Sequence, residues 1–328
     1  MTLKGSPEDI LISVRNLTVT FRVPRGILVA VDRANLDIRK GEILALVGES
    51  GCGKTVLAHS LLNIVDPNGE IKSGKILFKN EIDVLSLPEE ELRKFRWKKV
   101  AIIFQAAQNS LNPVMRVYEH AVDTTLAHEK VSENEIYKKF SEMLKWVRLE
   151  PERVSRLYPH EASGGMKQRI ISALSLLLDP ELLILDEPTS ALDVLTQAYI
   201  LKFLRNLHEQ TGMTMLYITH DLATVAEIAD RVAIMYLGQI VETGGVDQIF
   251  YDPKHPYTEA LIKATPSLLS DISEIKPLPG PLPDPFSPPP GCKFHPRCAF
   301  ATDRCRKIPP PLVDIGDDRT LACYKEVK

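Results

Sequence analysis

Short β-branched and aliphatic runs alternate with longer helix-patterned stretches from residue 10 to about residue 250. The runs Ile10–Val14, Leu17–Phe21, Ile43–Val47, Val100–Phe104, Leu182–Leu185, Met215–Ile218 and Val232–Met235 predict strands. Alternation of this kind predicts an α/β fold whose core sheet is largely parallel. Between Ala106 and Asp179 the strand-like runs stop. Within that stretch, Glu133–Leu149 sets Ile136, Phe140, Leu144 and Val147 on one apolar helical face. The expectation is a helical subdomain over about 106–179, inserted into the α/β core. A helical layer lying on the sheet is the plainer alternative.

The pattern breaks near Asp252. Of 24 prolines, 15 lie between Pro253 and Pro311, among them the triplet Pro288–Pro290. Such a run favours extended, polyproline-like chain and excludes helix interiors and central strands. It predicts a first domain over 1–252 and a separate C-terminal extension over 253–328, joined by a helix around Tyr257–Ala264. A chain of 328 residues also exceeds the size at which one hydrophobic core stops growing. Forty basic and 43 acidic residues leave a formal charge of −3, so the whole chain carries no nucleic-acid footprint. With 44 % hydrophobic and 25 % charged residues, wholesale disorder is excluded. No apolar run approaches the roughly 20 residues of a membrane span, and the first ten residues lack a signal-peptide layout. A chain kept in the cytosol is expected, with no fixed-period internal repeat.

Candidate chemistry begins after the strand Ile43–Val47, which runs into Gly48-Glu49-Ser50-Gly51-Cys52-Gly53-Lys54-Thr55 and a helical pattern over Val56–Ile64. Glycines so placed let backbone N–H groups curl around phosphate oxygens, and the helix start adds its dipole and unpaired donors. In this pattern Lys54 reaches the β- and γ-phosphates and the Thr55 hydroxyl sits on Mg2+. Cys52 is a small residue fitting the turn. Leu182 to Leu185 is an apolar run closed by Asp186 and Glu187, a buried parallel strand delivering two carboxylates to the ligand-binding end of the sheet. Asp186 suits Mg2+, and Glu187 suits polarising an attacking water. Ser163-Gly164-Gly165, ahead of another apolar-periodic segment, makes a second exposed helix start suited to phosphate. Two such starts permit two phosphate sites on one chain, or one composite site shared with a second copy.

The stretch Glu161-Ala162-Ser163-Gly164-Gly165-Met166-Lys167-Gln168-Arg169 resembles the signature motif of ABC ATPases, with Ala162 where that family usually has Leu. The resemblance covers about residues 10–262. Gln105 resembles the Q-loop glutamine that senses Mg2+ and joins the core to the helical subdomain. Ser190-Ala191-Leu192-Asp193 resembles the D-loop, and His220 the switch histidine that contacts the γ-phosphate. Phe21 stands where the family often stacks an aromatic on adenine, although Leu17, Val19 and Phe21 equally form one face of a strand. The resemblance implies a P-loop NTPase fold of the ABC type that hydrolyses ATP with Mg2+. It also implies a head-to-tail dimer with a second ATPase subunit, identical or related. ATP is then held between the phosphate loop of one subunit and Ser163, Gly164 and Gly165 of the other, and hydrolysis opens the pair.

Four of five cysteines close the sequence: Cys292, Cys298, Cys305 and Cys323. In a chain without a secretion signal, this cluster favours a metal centre over disulfides. Thiolate softness fits Zn2+ and an iron–sulfur cluster equally, and unligated or partly oxidised thiols are the third option. His295 is a conceivable substitute ligand. Lys293, Arg297, Arg304, Arg306 and Lys307 make the region basic, which offsets thiolate charge or leaves the cations in solvent. The proline-rich linker, His255-Pro256-Tyr257-Thr258 and the Gly291–Cys298 segment resemble the C-terminal region of oligopeptide/dipeptide importer ATPases. That resemblance favours a [4Fe–4S] cluster. It further implies two transmembrane permease subunits, an extracytoplasmic substrate-binding protein and a peripheral place on the cytoplasmic face of the membrane. Partner contacts are expected near Gln105 and Leu157-Tyr158-Pro159-His160. A soluble ABC ATPase acting on nucleic acid or ribosomes, and an importer of nickel or other small solutes, are the competing functions.

Overall fold

The computed structural model describes residues 9–105, 107–190, 193–265 and 278–325. They form two compact units, one from the described parts of 1–86 and 218–328, the other from 87–217.

The first unit opens with a long antiparallel pair, β1 (Ile10–Val23) and β2 (Gly26–Arg39). The two strands expected at Ile10–Val14 and Leu17–Phe21 are one strand. Its register slips between Val14 and Leu17, where Asn16 takes φ 48°, and this bulge is what breaks the apolar period in the sequence. Next come β3 (Ile43–Val47), buried at every position, and α1 (Lys54–Ser60). β4 (Gly69–Phe78) and the short β5 (Ile82–Asp83) complete a sheet ordered β2-β1-β4-β5. The sequence pattern showed neither β2 nor β4. In β4 only Ile76 and Phe78 near its end are apolar and buried.

The second unit is helix-rich between its strands. α2 (Glu89–Phe95) precedes β6 (Val100–Ile103), and then come α3 (Val117–Leu126), α4 (Glu133–Trp146), α5 (Pro151–Val154) and α6 (Gly164–Ser175). α4 starts at Ser132, whose hydroxyl and backbone N–H form a reciprocal cap with Glu135. Its buried face is Ile136, Phe140 and Leu144, with Val147 buried just beyond. β7 (Leu182–Asp186), α7 (Val194–Thr211) and β8 (Thr214–Thr219) follow, and β6 and β7 pair in parallel. No strand is assigned to the described residues between 106 and 179.

Returning to the first unit, α8 (Leu222–Ile228) leads into β9 (Arg231–Tyr236), which lies parallel to β3. β10 (Gln239–Gly245), α9 (Val246–Tyr251), α10 (Pro256–Lys263), α11 (Asp303–Lys307), β11 (Val313–Gly316) and β12 (Arg319–Leu321) complete the chain. These strands give the order β11-β12-β10-β9-β3. The described tail residues thus add strands to the sheet that carries the glycine-rich loop. Arg319 seals the join, donating at 2.8 Å to the fully buried Glu242. At the β1–β2 turn, Arg25 pairs with Asp284 at 3.0 Å and lies over the Phe286 ring. No helix among the described residues is long and apolar enough to cross a membrane.

His255 sits at the centre of this join. It caps α10 by accepting the Tyr257 N–H on Nδ1 at 3.0 Å, and its ring donates to the Ala322 carbonyl. Burial lowers its pKa to about 3. Above about pH 6.5 both folded and unfolded states hold a neutral ring. Between pH 6.5 and 3 the unfolded chain takes up a proton that the folded chain refuses, so stability falls by about 1.4 kcal/mol per unit of pH decrease. The His255→Asn variant, which keeps a capping side chain, is expected to lose stability at pH 7. Urea unfolding at pH 7 and pH 5 should show its deficit against the parent shrinking by about 2 kcal/mol at the lower pH.

Candidate active site

β3 delivers the chain into a loop that tolerates no side chain at two of its glycines. A Cβ on Gly48 would lie 2.2 Å from the Met235 carbonyl oxygen, and one on Gly53 equally close to that of Ala30. Gly53 also takes φ 106° at the start of α1, a backbone conformation that L side chains rarely adopt. Lys54 is buried, and its ammonium donates to the Gly48 and Glu49 carbonyls at 2.8 and 3.1 Å. The same loop includes Ser50, Gly51 and the buried Cys52, whose carbonyl accepts the Gly238 N–H, and it ends on Thr55 in α1.

The back of the loop is held by groups that sequence reasoning did not assign there. The Glu49 N–H donates to the Tyr257 hydroxyl at 3.0 Å. Arg297 donates to both Glu49 carboxylate oxygens at 2.7 and 3.1 Å, and to the Tyr236 hydroxyl at 3.3 Å. Lys293 likewise pairs with Asp32 at 2.9 Å and donates to the Leu237 carbonyl. These two cations are neither solvated nor reserved for thiolate charge. Their carboxylate partners lie more than 200 residues away, a separation that no local pattern encodes. Phe21 is half-buried on β1, with its ring over Gly69. His220 is exposed after β8, next to Asp221, which caps α8 through the Ala223 N–H.

In the second unit, Asp186 ends β7 fully buried. Glu187 follows with φ 46°, a left-handed conformation that non-glycine residues adopt only when the surroundings over-determine it. Ser190 fixes that turn by donating to the Glu187 carbonyl from both its N–H and its hydroxyl. Gln105, just beyond β6, donates from its amide to the Glu187 carboxylate at 3.1 Å. The parallel pairing of Ile103 with Leu185 places these two side chains side by side.

Two helix starts meet in the same unit. Ser163 caps α6 by accepting the Met166 N–H, and Ala162 before it is buried. Gly164 and Gly165 open that helix. Asp193 caps α7, accepting from the Thr196 N–H and hydroxyl at 2.9 and 2.8 Å, and these bonds hold its carboxyl below the usual range. The Thr196 methyl stands 3.4 Å from the place a Gly165 Cβ would occupy. Arg169 ties the first turn of α6 to the end of α4 through the Gly165, Val147 and Arg148 carbonyls, with its guanidinium over Tyr199.

The tail thiols form no disulfide. Cys292, Cys298, Cys305 and Cys323 all line one small pocket of about 20 Å³, together with His295 and Phe294. Burial pushes the Cys292 thiol up to about 11 and raises Cys298 and Cys323 as well. Backbone N–H groups of Phe294, Phe300 and Lys325 point at the Cys292, Cys298 and Cys323 sulfurs. Among the described residues, however, no three His, Cys, Asp or Glu side chains are grouped so as to hold a metal ion. The expected four-cysteine metal site is therefore not formed as a metal-binding group among the described residues. His295 Nδ1 is engaged with the Cys292 carbonyl at 2.9 Å.

Comparison with known proteins agrees with this geometry. A family model described as ABC transporter matches residues 31–190, and one described as oligopeptide/dipeptide transporter, C-terminal region, matches residues 241–305. The dipeptide transport ATP-binding protein DppD of Caldanaerobacter subterraneus subsp. tengcongensis is 47 % identical over 96 % of this chain and 97 % of its own length. The oligopeptide transport ATP-binding protein OppD of Escherichia coli is 41 % identical over 99 % of this chain and 96 % of its own. Among solved structures, the dimeric ATP-binding cassette MJ0796 in a post-hydrolysis state with ADP and Pi is similar at TM-score 0.63 and 28 % identity, covering 72 % of this chain and 98 % of that one. The chain belongs to the ABC transporter ATPases, with the P-loop NTPase fold of that family, in the branch that carries the oligopeptide/dipeptide C-terminal region.

Proposed function

We propose that this chain is the ATP-hydrolysing subunit of a membrane importer of dipeptides or oligopeptides. The observation that carries the reading is likeness over nearly the whole chain to dipeptide and oligopeptide transport ATP-binding proteins, with the C-terminal region included. Gly48, Ser50, Gly51, Cys52 and Gly53 cradle the phosphates with backbone N–H groups, and Lys54 leaves its carbonyl partners to meet the β- and γ-phosphates. Thr55, Gln105 and the buried Asp186 would hold Mg2+, which supplies charge neutralisation to the leaving phosphates. Glu187 accepts the proton of the attacking water, and Gln105 orients its carboxylate. His220 contacts the γ-phosphate and Phe21 stacks on adenine. In a head-to-tail dimer, Ser163, Gly164 and Gly165 cover the nucleotide held by the partner, with Asp193 beside them. ATP thus favours the closed pair and ADP the open one, and that difference drives two permease subunits fed by an extracytoplasmic binding protein. The chain is held at the cytoplasmic face of the membrane by those permeases.

Uptake of labelled peptides into vesicles carrying the reassembled complex tests this reading. The Glu187→Gln complex should keep MgATP binding and lose at least about a hundredfold in ATP hydrolysis, with uptake lost in parallel. ATP-driven uptake of nickel without peptide would reassign the substrate, and nuclease-sensitive sedimentation of the chain would favour the nucleic-acid role.

For the tail, likeness to the oligopeptide/dipeptide transporter C-terminal region is what favours an iron–sulfur cluster over zinc, since thiolate softness fits both. Four cysteines line one small pocket, and backbone donors face three of the sulfurs, which suits thiolate ligands. Such a [4Fe–4S] cluster would be held by Cys292, Cys298, Cys305 and Cys323. Protein purified without oxygen is expected to be coloured and to release iron and sulfide in equal amounts. Colourless protein releasing zinc, or no metal, would refute the cluster.

A further inference from the structure

We infer that Arg297 and Tyr257, both from the C-terminal region, are positioning residues for ATP: they fix the phosphate loop through Glu49. The inference rests on the ATPase reading above and adds the tail to its machinery.

Glu49 is gripped at both ends. Its carboxylate takes the Arg297 fork at 2.7 and 3.1 Å, and its backbone N–H is held by the Tyr257 hydroxyl at 3.0 Å. The fork itself is fixed. Its Nε donates to the Pro279 carbonyl at 2.7 Å, and the Arg297 side chain is 3 % exposed against 22 % for Glu49. Tyr257 is fully buried, with its ring 4.6 Å from that of Tyr236 and 5.4 Å from that of Phe294. Glu49 passes this restraint inward, because its carbonyl accepts the Lys54 ammonium at 3.1 Å. A chain of contacts therefore runs from the tail through Glu49 to the phosphate-binding lysine.

A loop that must aim several N–H donors at one polyanion loses conformational freedom when it binds. Restraints present beforehand lower that cost and appear in affinity. A bidentate guanidinium–carboxylate pair is the strong form of such a restraint, and a lysine cannot reproduce its planar fork. The Arg297 charge also offsets the Glu49 carboxylate, which would otherwise repel a triphosphate at the adjoining loop. Neither residue touches the reacting atoms, so the turnover rate at saturating ATP should be spared.

The test measures MgATP affinity of the full-length chain, and KM and kcat for ATP in the reassembled complex. Arg297→Gln should weaken MgATP binding about tenfold, with a matching rise in KM and kcat within about twofold of the parent. Arg297→Lys should fall between the two, and Tyr257→Phe, which removes one hydroxyl, should weaken binding about threefold. If Arg297→Gln fails to fold, Arg297→Lys and Tyr257→Phe decide. Parent-like affinity in Arg297→Lys or Tyr257→Phe, or a loss of kcat at unchanged KM, would overturn the inference. Lys54→Ala separates the two layers: if it binds MgATP like the parent, the nucleotide site itself is misassigned. If it loses ATP while the Arg297 and Tyr257 variants keep it, only the role of the tail fails.

Discussion

A phosphate-binding loop must keep its N–H groups unpaired on one side, so whatever holds it has to act from the other. In this protein glycine lets the loop lie directly against neighbouring backbone. The backbone at Gly48 and Gly53 passes so near the Met235 and Ala30 carbonyls that even a methyl group would collide. Tyr257, Arg297 and the Gly238 N–H hold the loop further. Lys54 rests on the Gly48 and Glu49 carbonyls of the loop. The rest of the first unit serves this arrangement: β3 and β9 set the start of the loop, and the tail closes over its back.

The second unit stores a different constraint. Glu187 is held in a left-handed backbone conformation by the Ser190 turn, while Gln105, just beyond the neighbouring strand, donates to its carboxylate. Strain of order 1–3 kcal/mol persists at such positions only when the neighbours leave no alternative. Here it aims a carboxylate immediately after the buried Asp186. The caps at Ser163 and Asp193 give two helix starts packed together across Gly165 and Thr196.

Much of this was legible in the sequence because its causes are local. The loop spacing, the apolar run closed by two acids, Ser-Gly-Gly before a helix, and the four-residue spacing on α4 are each read within a dozen residues. A bulge at Asn16 interrupts the alternation of β1 and makes it look like two strands, and β4 leaves no periodic signal because its buried positions gather at one end. The roles of Arg297 and Lys293 were illegible for another reason. A basic residue among cysteines looks like a counterion to thiolate, and the acids that claim these two cations, Glu49 and Asp32, are brought to them only by the tertiary fold. The strands β11 and β12 escaped notice because they are short and follow a proline-rich stretch that argues against sheet.

In the proposed function, the glycine loop of one subunit and the signature helix of another hold one ATP between them. A structure of the Glu187→Gln protein solved with MgATP tests it directly. The phosphates are expected against the N–H groups of residues 51–55, with Ser163 and Gly165 of a second subunit on the γ-phosphate. Nucleotide bound away from that loop, or a closed pair in which no signature helix meets the γ-phosphate, would contradict it.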